Sequence, residues 1–481
     1  MDAMIAGPLL LLILPLAMAG IVYILLRWPS LSALLAIGTA LVLGFAVVTL
    51  PLDQPVRLFS FLGGERQIIM GETVTVFGRE LVLEQADRVA MAYLFFTAAG
   101  IFFLAWRAAP RSLLFPVGLG LLSLLSGALL IRPLIYAALL VEIAAALSIF
   151  TLQAEGQSPT RGGLRYLTFI TLALPGLLVT HWLLDRYALA PDETGLLSIA
   201  ATLLAISYAL LLGVVPFIWV PAIAEDSVPL ASTFVLTINN SAVWFLLLNF
   251  LETYPWLSGH PRFGSLVSGA GLAMVVVGGL LTPAQRRLGR LMGWGALIDT
   301  GAALIALGMN NRLGLTLVFL SLFMRPFGLA LMATGLSGLR ACSGNDDSFD
   351  ALRGLGWRAG WSTAALIFGG LSVAGLPVSA GFAWRWALYR ALAPSSPGSA
   401  LLLLLAGAGV MIGVWRGLSV LLVRPRSPKD RSVVPLGPSE GWLTAAVVIV
   451  AILGCIGVGL FPQTLAPLAA RFAETCTFVT P

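Results

Sequence analysis

Charge is scarce in this sequence. Only 10% of its 481 residues are charged, while 59% are hydrophobic. Soluble globular domains carry about 25% charged residues. Because so few charges could not cover the surface of a soluble fold of this size, the apolar excess is expected to face lipid. The composition excludes an ordinary soluble domain and predicts an all-α integral membrane protein.

Side chains that bind metals and cofactors are also scarce. Cys342, Cys455 and Cys476 lie far apart without metal-ligand spacing, and His181 and His260 are the only histidines. We therefore expect three unpaired thiols, no metal site and no cofactor. A glycine-rich phosphate loop after a strand is lacking, so nucleotide binding is unsupported. Any electron chemistry is expected on another subunit.

Lysine is nearly absent, and the net charge of +6 comes almost wholly from arginine. The arginines are scattered among apolar segments, which predicts membrane topology rather than nucleic-acid binding. If the N-terminus lies outside, the inner connections carry most of the basic residues. Both termini are then predicted outside a bacterial inner membrane. The predicted inner residues are Arg27, Arg107, Arg111, Arg161, Arg165, Arg286, Arg287, Arg290, Arg340, Arg353, Arg358, Arg424, Arg426, Lys429 and Arg431.

Apolar runs predict a single polytopic domain over residues 1–481. A span needs about 20 apolar residues, and the sequence contains about fourteen such runs. Between them, residues 51–88 alternate polar and apolar side chains, which predicts a small extramembrane hairpin. Residues 336–358 are predicted to form a solvated polar loop. The predicted spans are 6–26, 32–50, 89–107, 111–131, 132–152, 164–184, 195–217, 230–251, 263–283, 287–308, 313–335, 360–388, 398–422 and 441–462.

Ionisable residues inside the predicted spans are candidates for function, since each costs about 2.5–3.5 kcal/mol or more in the membrane. Glu142 is either a proton-carrying carboxylate or a residue that pins two helices together. Arg325 and Arg385 cannot release a proton as lysine can. Each either tunes neighbouring carboxylates or forms a structural ion pair. Asp299 is either a relay carboxylate or, as we favour, an interfacial residue, and Arg416 is expected to snorkel.

Two predicted spans contain helix-breaking prolines, Pro216 and Pro377. Broken helices in a membrane expose backbone groups, which is tolerated only where they line protein or a water-filled cavity. A broken span in each half of a chain also indicates an internal inverted repeat around an ion pathway. The pattern favours an ion-translocating protein.

Four segments carry a family resemblance. Residues 216–221 (PFIWVP) resemble the motif PFHxWLP, residues 290–301 (RLMGWGALIDTG) resemble RLLAYSSIxHxG, and residues 374–385 (AGLPVSAGFAWR) resemble AGLPPxxGFxxK. Residues 141–144 (VEIA) fall where the family has its fifth-span glutamate. In this order they resemble the antiporter-like membrane subunits of complex I (NADH:quinone oxidoreductase). That family also includes subunits of Mrp antiporters and membrane-bound hydrogenases.

The resemblance implies a proton pathway along a row of charged residues at mid-membrane. Glu142 matches the fifth-span glutamate, and Arg325 and Arg385 match the lysines of the eleventh and twelfth spans. The seventh-span lysine falls on Leu211, and the tenth-span histidine falls on Asp299. The implied site is therefore Glu142, Arg325, Arg385 and Asp299, with helices broken at Pro216 and Pro377.

Three functions stay open at this point. The first is a proton-translocating subunit of a complex I-type redox pump, with other membrane subunits as partners. The second is a component of an Mrp-type exchanger that moves protons, and possibly Na⁺, or a hydrogenase membrane subunit. The third is a scaffold without transport, which the missing lysine at Leu211 motivates. Electron donor, acceptor and transported ion are not encoded in these motifs.

Overall fold

The computed structural model describes residues 4–57, 67–76, 78–109, 112–153, 160–189, 195–423 and 440–479. Of the basic residues that predict topology, Arg111, Arg424, Arg426, Lys429 and Arg431 lie outside these ranges. The described chain is a helical bundle with short strands. Its helices are α1 (Gly7–Ile24), α2 (Pro29–Thr49), α3 (Asp87–Ala108), α4 (Leu114–Leu130), α5 (Ile135–Leu152), α6 (Arg161–Leu189), α7 (Gly195–Leu211), α8 (Trp219–Asp226), α9 (Pro229–Phe234), α10 (Asn240–Thr253), α11 (Phe263–Leu281), α12 (Leu288–Gly308), α13 (Arg312–Cys342), α14 (Gly360–Ala374), α15 (Ala380–Leu392), α16 (Pro397–Leu421), α17 (Trp442–Leu460) and α18 (Ala466–Thr475).

The class of fold predicted from composition is confirmed: this is an all-α integral membrane protein that contains broken helices. In the described part of the chain, eleven helices are long and apolar enough to cross a membrane. Three shorter apolar helices, α4, α7 and α14, stand beside them. The count of fourteen spans and the inverted repeat stay predictions.

Proline and asparagine mark where several helices begin. One of the first two positions of α1, α2, α9 and α16 is a proline, whose missing N–H costs nothing at the start of a helix. Asn311 precedes α13, and its side chain accepts a hydrogen bond from the Gly314 amide at 2.7 Å. Between α9 and α10 the chain forms a π-helical turn, Val235–Asn239, so the three elements run as one continuous helix.

Two helices are interrupted at the predicted prolines, and the interruptions share a local design. α7 ends at Leu211, Gly213 takes φ +75°, and Pro216 follows before α8 begins. α14 ends at Ala374, Gly375 takes φ +80°, and Pro377 follows before α15 begins. In both, glycine supplies the left-handed conformation that ends a helix and proline prevents its continuation. The predicted span 360–388 is thus two helices, α14 and α15, whereas the predicted span 195–217 contains α7 and the interruption, and α8 begins after it.

Helices α12 and α13 form the centre of the bundle. Most of their side chains are buried, whereas most side chains of α1 and α17 are at least partly exposed. α12 packs against α8, α11 and α13, and α13 packs against α14, α15 and α18. This centre therefore borders three helices that flank the interruptions: α8, α14 and α15.

The strands form two small sheets. One has the order β1–β3–β2, from Met4–Ala6, Gln67–Ile69 and Val56–Arg57, with β1 parallel to β3. The other has the order β4–β5–β6, from Val74–Val76, Arg79–Leu81 and Ile131–Arg132, all antiparallel. Segment 51–88 is thus tied by pairing to the N-terminal strand and to the α4–α5 connection. Its placement outside the membrane stays a prediction, and residues 58–66 and 77 lie outside the described ranges.

The prediction that residues 336–358 form a solvated loop is wrong in two respects. α13 continues to Cys342, so the first seven of these residues are helical. Arg340 and Asp347 are buried and form an ion pair. The guanidinium also donates hydrogen bonds to the Ser227 and Glu225 carbonyls, each at 2.6 Å. The charges expected in a solvated loop therefore join α13 to the C-terminal end of α8.

Candidate functional site

We call the end of the bundle that carries Asp87 and Arg132 the strand end, and the end that carries Arg290 and Arg340 the arginine end. Asp87 pairs with Arg132 at 3.2 Å. At the opposite end Arg290 lies 3.4 Å from Glu225. The candidate site lies between these two ends.

The strongest feature of the interior is an ion pair between Asp299 and Arg385. Arg385 donates a hydrogen bond to Asp299 Oδ1, and the Arg385 and Asp299 side chains are 0% and 6% exposed, respectively. Asp299 lies near the centre of α12, not at its end. The preferred interpretation of Asp299 as an interfacial residue is therefore wrong. This ion pair joins the motif of residues 290–301 to the motif of residues 374–385.

Arg385 also closes the interruption between α14 and α15. Its guanidinium donates to the Ala374 carbonyl at 3.3 Å, the last residue of α14. A Cβ atom on Gly375 would lie 2.6 Å from Arg385 Cδ. The cation thus occupies the C-terminal end of a half-helix, where the helix dipole favours positive charge. Glycine at 375 allows the backbone conformation and this close approach.

Arg325 completes this first cluster, which consists of Asp299, Arg325 and Arg385. It is 6% exposed and donates to the Ala296 carbonyl at 3.2 Å, about one turn before Asp299. It also lies within electrostatic range of Asp299 and of the Tyr93 hydroxyl. One buried carboxylate therefore lies among two buried arginines, and the cluster retains an excess of positive charge.

Glu142 belongs to a second cluster, on the other side of the bundle. Its Oε1 accepts a hydrogen bond from Thr171 on α6, and its buried Oε2 has no partner among the described residues. Asn239 donates to the Ser148 hydroxyl at 2.8 Å and to the Tyr166 hydroxyl at 3.2 Å. We call Glu142, Thr171, Tyr166, Asn239 and Ser148 the glutamate cluster.

The helix from α9 to α10 carries polar residues between the two clusters. Asn239, Asn240 and Ser241 are consecutive and buried at the π-helical turn. Ser241 donates to the Tyr93 hydroxyl at 3.0 Å, and Tyr93 is near Arg325. π-helical turns often occur at functional sites. Sequence reasoning missed these residues, although three adjacent polar residues inside an apolar run were a usable signal.

Leu211, which falls where the family has its seventh-span lysine, separates two small cavities. One, of about 10 Å³, is lined by Tyr166, Asn239 and Asn240. The other, of about 30 Å³, is lined by His181 and Tyr208. Leu211 lines both. A cavity of about 10–15 Å³ holds one water, so both approach or exceed that size.

The remaining predicted residues fall as follows. Pro216 and Pro377 lie in the two helix interruptions. Arg416 is half-buried on α16, donates to the Pro283 carbonyl and lies 5.6 Å above the Phe349 ring. The structure joins Asp299, Arg325 and Arg385 in one cluster, and it places Glu142 apart from them. Within the ranges that the structure describes, no group of three His, Cys, Asp or Glu side chains is placed to hold a metal ion.

The described bundle has two interrupted helices, and a buried ion pair lies beside the interruption between α14 and α15. Residues 212–412 match the family model described as NADH:quinone oxidoreductase/Mrp antiporter, transmembrane. The matched region contains the first cluster and both interruptions. This match confirms the resemblance that the motifs predicted, over residues 212–412 of the chain.

Curated relatives carry the name NADH-quinone oxidoreductase subunit N. The chain is 29% identical over 301 residues to that of Ectopseudomonas mendocina, covering 60% of this chain and 58% of the relative. It is 25% identical over 270 residues to that of Methylococcus capsulatus, covering 55% and 53%. It is 29% identical over 318 residues to subunit N 1 of Solidesulfovibrio magneticus, covering 62% and 67%. The chain spans about half to two thirds of these relatives.

Solved structures show the same fold along nearly the whole chain. A chain of the Mrp complex from Dietzia sp. has a TM-score of 0.76 at 15% identity, with 98% of this chain and 97% of that chain covered. A chain of respiratory complex I from Thermus thermophilus has a TM-score of 0.68 at 19% identity, with 95% and 99% covered. At these identities the likeness establishes the fold alone.

Proposed function

We propose that this chain is a proton-translocating subunit of a complex I-type NADH:quinone oxidoreductase in a bacterial inner membrane. The observation that carries the proposal is the buried Asp299–Arg385 pair at a helix interruption, with Arg325 beside it. A carboxylate that can exchange a proton lies there between cations that cannot. The names of the curated relatives support the redox partner.

In this proposal the carboxylates carry protons and the arginines set their charge. Protonation of Asp299 would neutralise its bond to Arg385 and leave two buried cations facing each other. A charge change at one cluster would therefore alter the electrostatic potential at the next. Glu142 is the second carrier, because its half-buried carboxylate lies within electrostatic range of Tyr166 and has one oxygen without a partner among the described residues.

The proposed partners are other membrane subunits, the lipid bilayer and a peripheral arm that carries the redox centres. Both termini are proposed to lie outside. The structural neighbours come from multi-subunit complexes, which supports such an assembly. The transported ion is proposed to be the proton, with Na⁺ as the alternative.

The decisive experiment measures ion flux in sealed vesicles that contain the native assembly. We expect proton uptake to require both an electron donor and a quinone, and co-purification to yield a peripheral iron–sulfur arm. Sodium- or potassium-driven proton flux without a donor would instead indicate an Mrp-type exchanger. Absence of redox partners from the purified assembly would also contradict the proposal.

Leu211 favours a second candidate, a scaffold subunit without transport. Leucine cannot replace the lysine that the family's relay uses, and it separates the two cavities. For a scaffold, Asp299→Asn and Glu142→Gln would leave the number of protons per electron unchanged. The proposed function instead predicts that both lower this number while the assembly stays intact.

A further inference from the structure

The cavity of about 30 Å³ has a titratable group in its wall that the family motifs do not include, His181 on α6. Its side chain is 13% exposed, and its buried Nδ1 has no hydrogen-bond partner in the described part of the chain. Imidazole is the side chain whose ordinary proton equilibrium lies nearest neutral pH. An imidazole in the wall of a cavity large enough for water can both take up and release a proton.

Asp185 connects this histidine to the strand end of the bundle. It lies one helical turn beyond His181, with Oδ1 3.6 Å from Nδ1, and its side chain is 71% exposed. A separation of 3.6 Å is an ion pair when the imidazole is charged and not a good hydrogen bond when it is neutral. The exposed carboxylate can therefore attract a proton from water and stabilise it on His181.

No Asp, Glu, Lys or Arg side chain is among the described residues that line this cavity, and the carboxylate that His181 faces is that of Asp185. α7 contributes the Tyr208 hydroxyl to the cavity. α5 and α10 contribute apolar side chains to it, including Ala138 and Phe250. Tyr254, after α10, lies within electrostatic range of Asp185. A charge on His181 would thus be balanced from the side that faces water.

The other end of the cavity points to the glutamate cluster. Val141, Leu211 and Val243 line both this cavity and the smaller one beside Tyr166 and Asn239. Val141 is adjacent in sequence to Glu142. Among the described residues, Leu211 and these two valines are thus the side chains common to the histidine cavity and to the cavity beside the glutamate cluster.

We propose that His181 is a proton-relay residue of this half of the chain, which exchanges protons with the strand end through Asp185 and with the glutamate cluster past Leu211. His181 would thus supply a titratable base in a chain that has Leu211 where the family has its seventh-span lysine. The inference rests on the proposed proton transport.

The chain offers a matched control, because His260 is the only other histidine and is exposed at the strand end. In the full chain carrying His260→Gln and labelled with ¹⁵N-histidine, all histidine signals come from His181. The signals are followed from about pH 5 to 8, and we expect them to report a change of protonation state that occurs at a different pH when Asp185→Asn is added. The inference is overturned if the imidazole keeps one protonation state over this range. It is also overturned if Asp185→Asn does not change the pH at which the imidazole changes protonation state.

Flux measurements on the native assembly separate this inference from the proposed function. We expect His181→Gln to lower donor-dependent proton flux by about 100-fold, and His260→Gln to leave it unchanged. Equal flux in the two variants overturns the role of His181 while proton transport stands. If the unsubstituted assembly transports no protons, the proposed function fails, and the titration still decides whether His181 takes up protons. Because the titration keeps His181 in place, it remains decisive if His181→Gln does not fold.

Discussion

Asp299 on α12 and Arg385 on α15 form an ion pair that excludes water from both charges. Arg385 is fully buried, and its guanidinium also binds the Ala374 carbonyl at the end of α14. The pair therefore fixes three helices relative to one another. Burial of two charges is costly, and the cost is recovered only if both partners are present. This dependence makes the pair both a structural element and a site where protonation alters the bundle.

Removing one residue of the Asp299–Arg385 pair should lower the free energy of unfolding more than removing both. Arg385→Met leaves Asp299 buried without its cation, so we expect the free energy of unfolding to fall by about 3–5 kcal/mol. The double variant Asp299→Leu, Arg385→Met should recover part of this, because the unpaired carboxylate is gone and Arg325 keeps its hydrogen bond to the Ala296 carbonyl. Detergent-titration unfolding of the full chain measures both. Arg390→Met, exposed on the same helix, is the control. Additive losses in the double variant would contradict a coupled pair.

The interruption beside this pair should not tolerate a side chain at Gly375. Alanine is disfavoured there because the backbone φ of +80° is left-handed. The added Cβ atom would also lie only 2.6 Å from Arg385 Cδ, closer than van der Waals contact allows. The left-handed conformation alone costs an L-residue about 1–2 kcal/mol. We expect Gly375→Ala to lower the melting temperature, and Gly398→Ala, where a Cβ meets nothing within 4 Å, to leave it nearly unchanged. Equal effects would mean that the interruption does not depend on glycine.

Glu142 should affect transport without holding the fold together. It is half-buried, and its Oε1 bonds only to Thr171, so Glu142→Gln keeps the hydrogen bond while removing the titratable charge. We expect donor-dependent proton flux to fall by about tenfold or more, with unchanged yield of the assembly. Glu474→Gln, exposed on α18, should leave flux unchanged. A lower yield with unchanged flux per complex would assign Glu142 a purely structural role.

Arg340 should be essential to the arginine end of the bundle. It binds two backbone carbonyls near the end of α8 and the Asp347 carboxylate, which in turn accepts from the Gly289 amide at 2.9 Å. Lysine cannot present this fork of donors. Because lysine keeps the charge but leaves buried carbonyls without donors, we expect Arg340→Lys to lower the free energy of unfolding by about 1–3 kcal/mol. Arg353→Lys, exposed in the following loop, should change it by less than about 0.5 kcal/mol. Comparable losses in both would refute the specific role of the fork.

The sequence was informative where local chemistry decides the structure. Apolar composition required a membrane protein, and Pro216 and Pro377, each preceded by a glycine, predicted the helix interruptions. It was uninformative where a charge finds its partner far along the chain. Asp299 and Arg385 are 86 residues apart, so periodicity could not show that they meet. For the same reason Arg340 and Asp347 were expected in a solvated loop, because their burial depends on the carbonyls of α8.

Leu211 is the position at which the family's lysine can be restored. Leu211→Lys would place an ammonium group beside the cavities of about 10 Å³ and 30 Å³, near Asn239 and the Tyr208 hydroxyl. Leu204 lies two turns earlier on α7, is equally buried and lines neither cavity. A lysine there has no such surroundings and should cost the full penalty of about 2.5–3.5 kcal/mol. We expect Leu211→Lys to assemble in the membrane at a higher yield and melting temperature than Leu204→Lys. Equal loss in the two variants would show that the cavities beside Leu211 cannot accommodate a charge, and proton passage at this position would lose its structural basis.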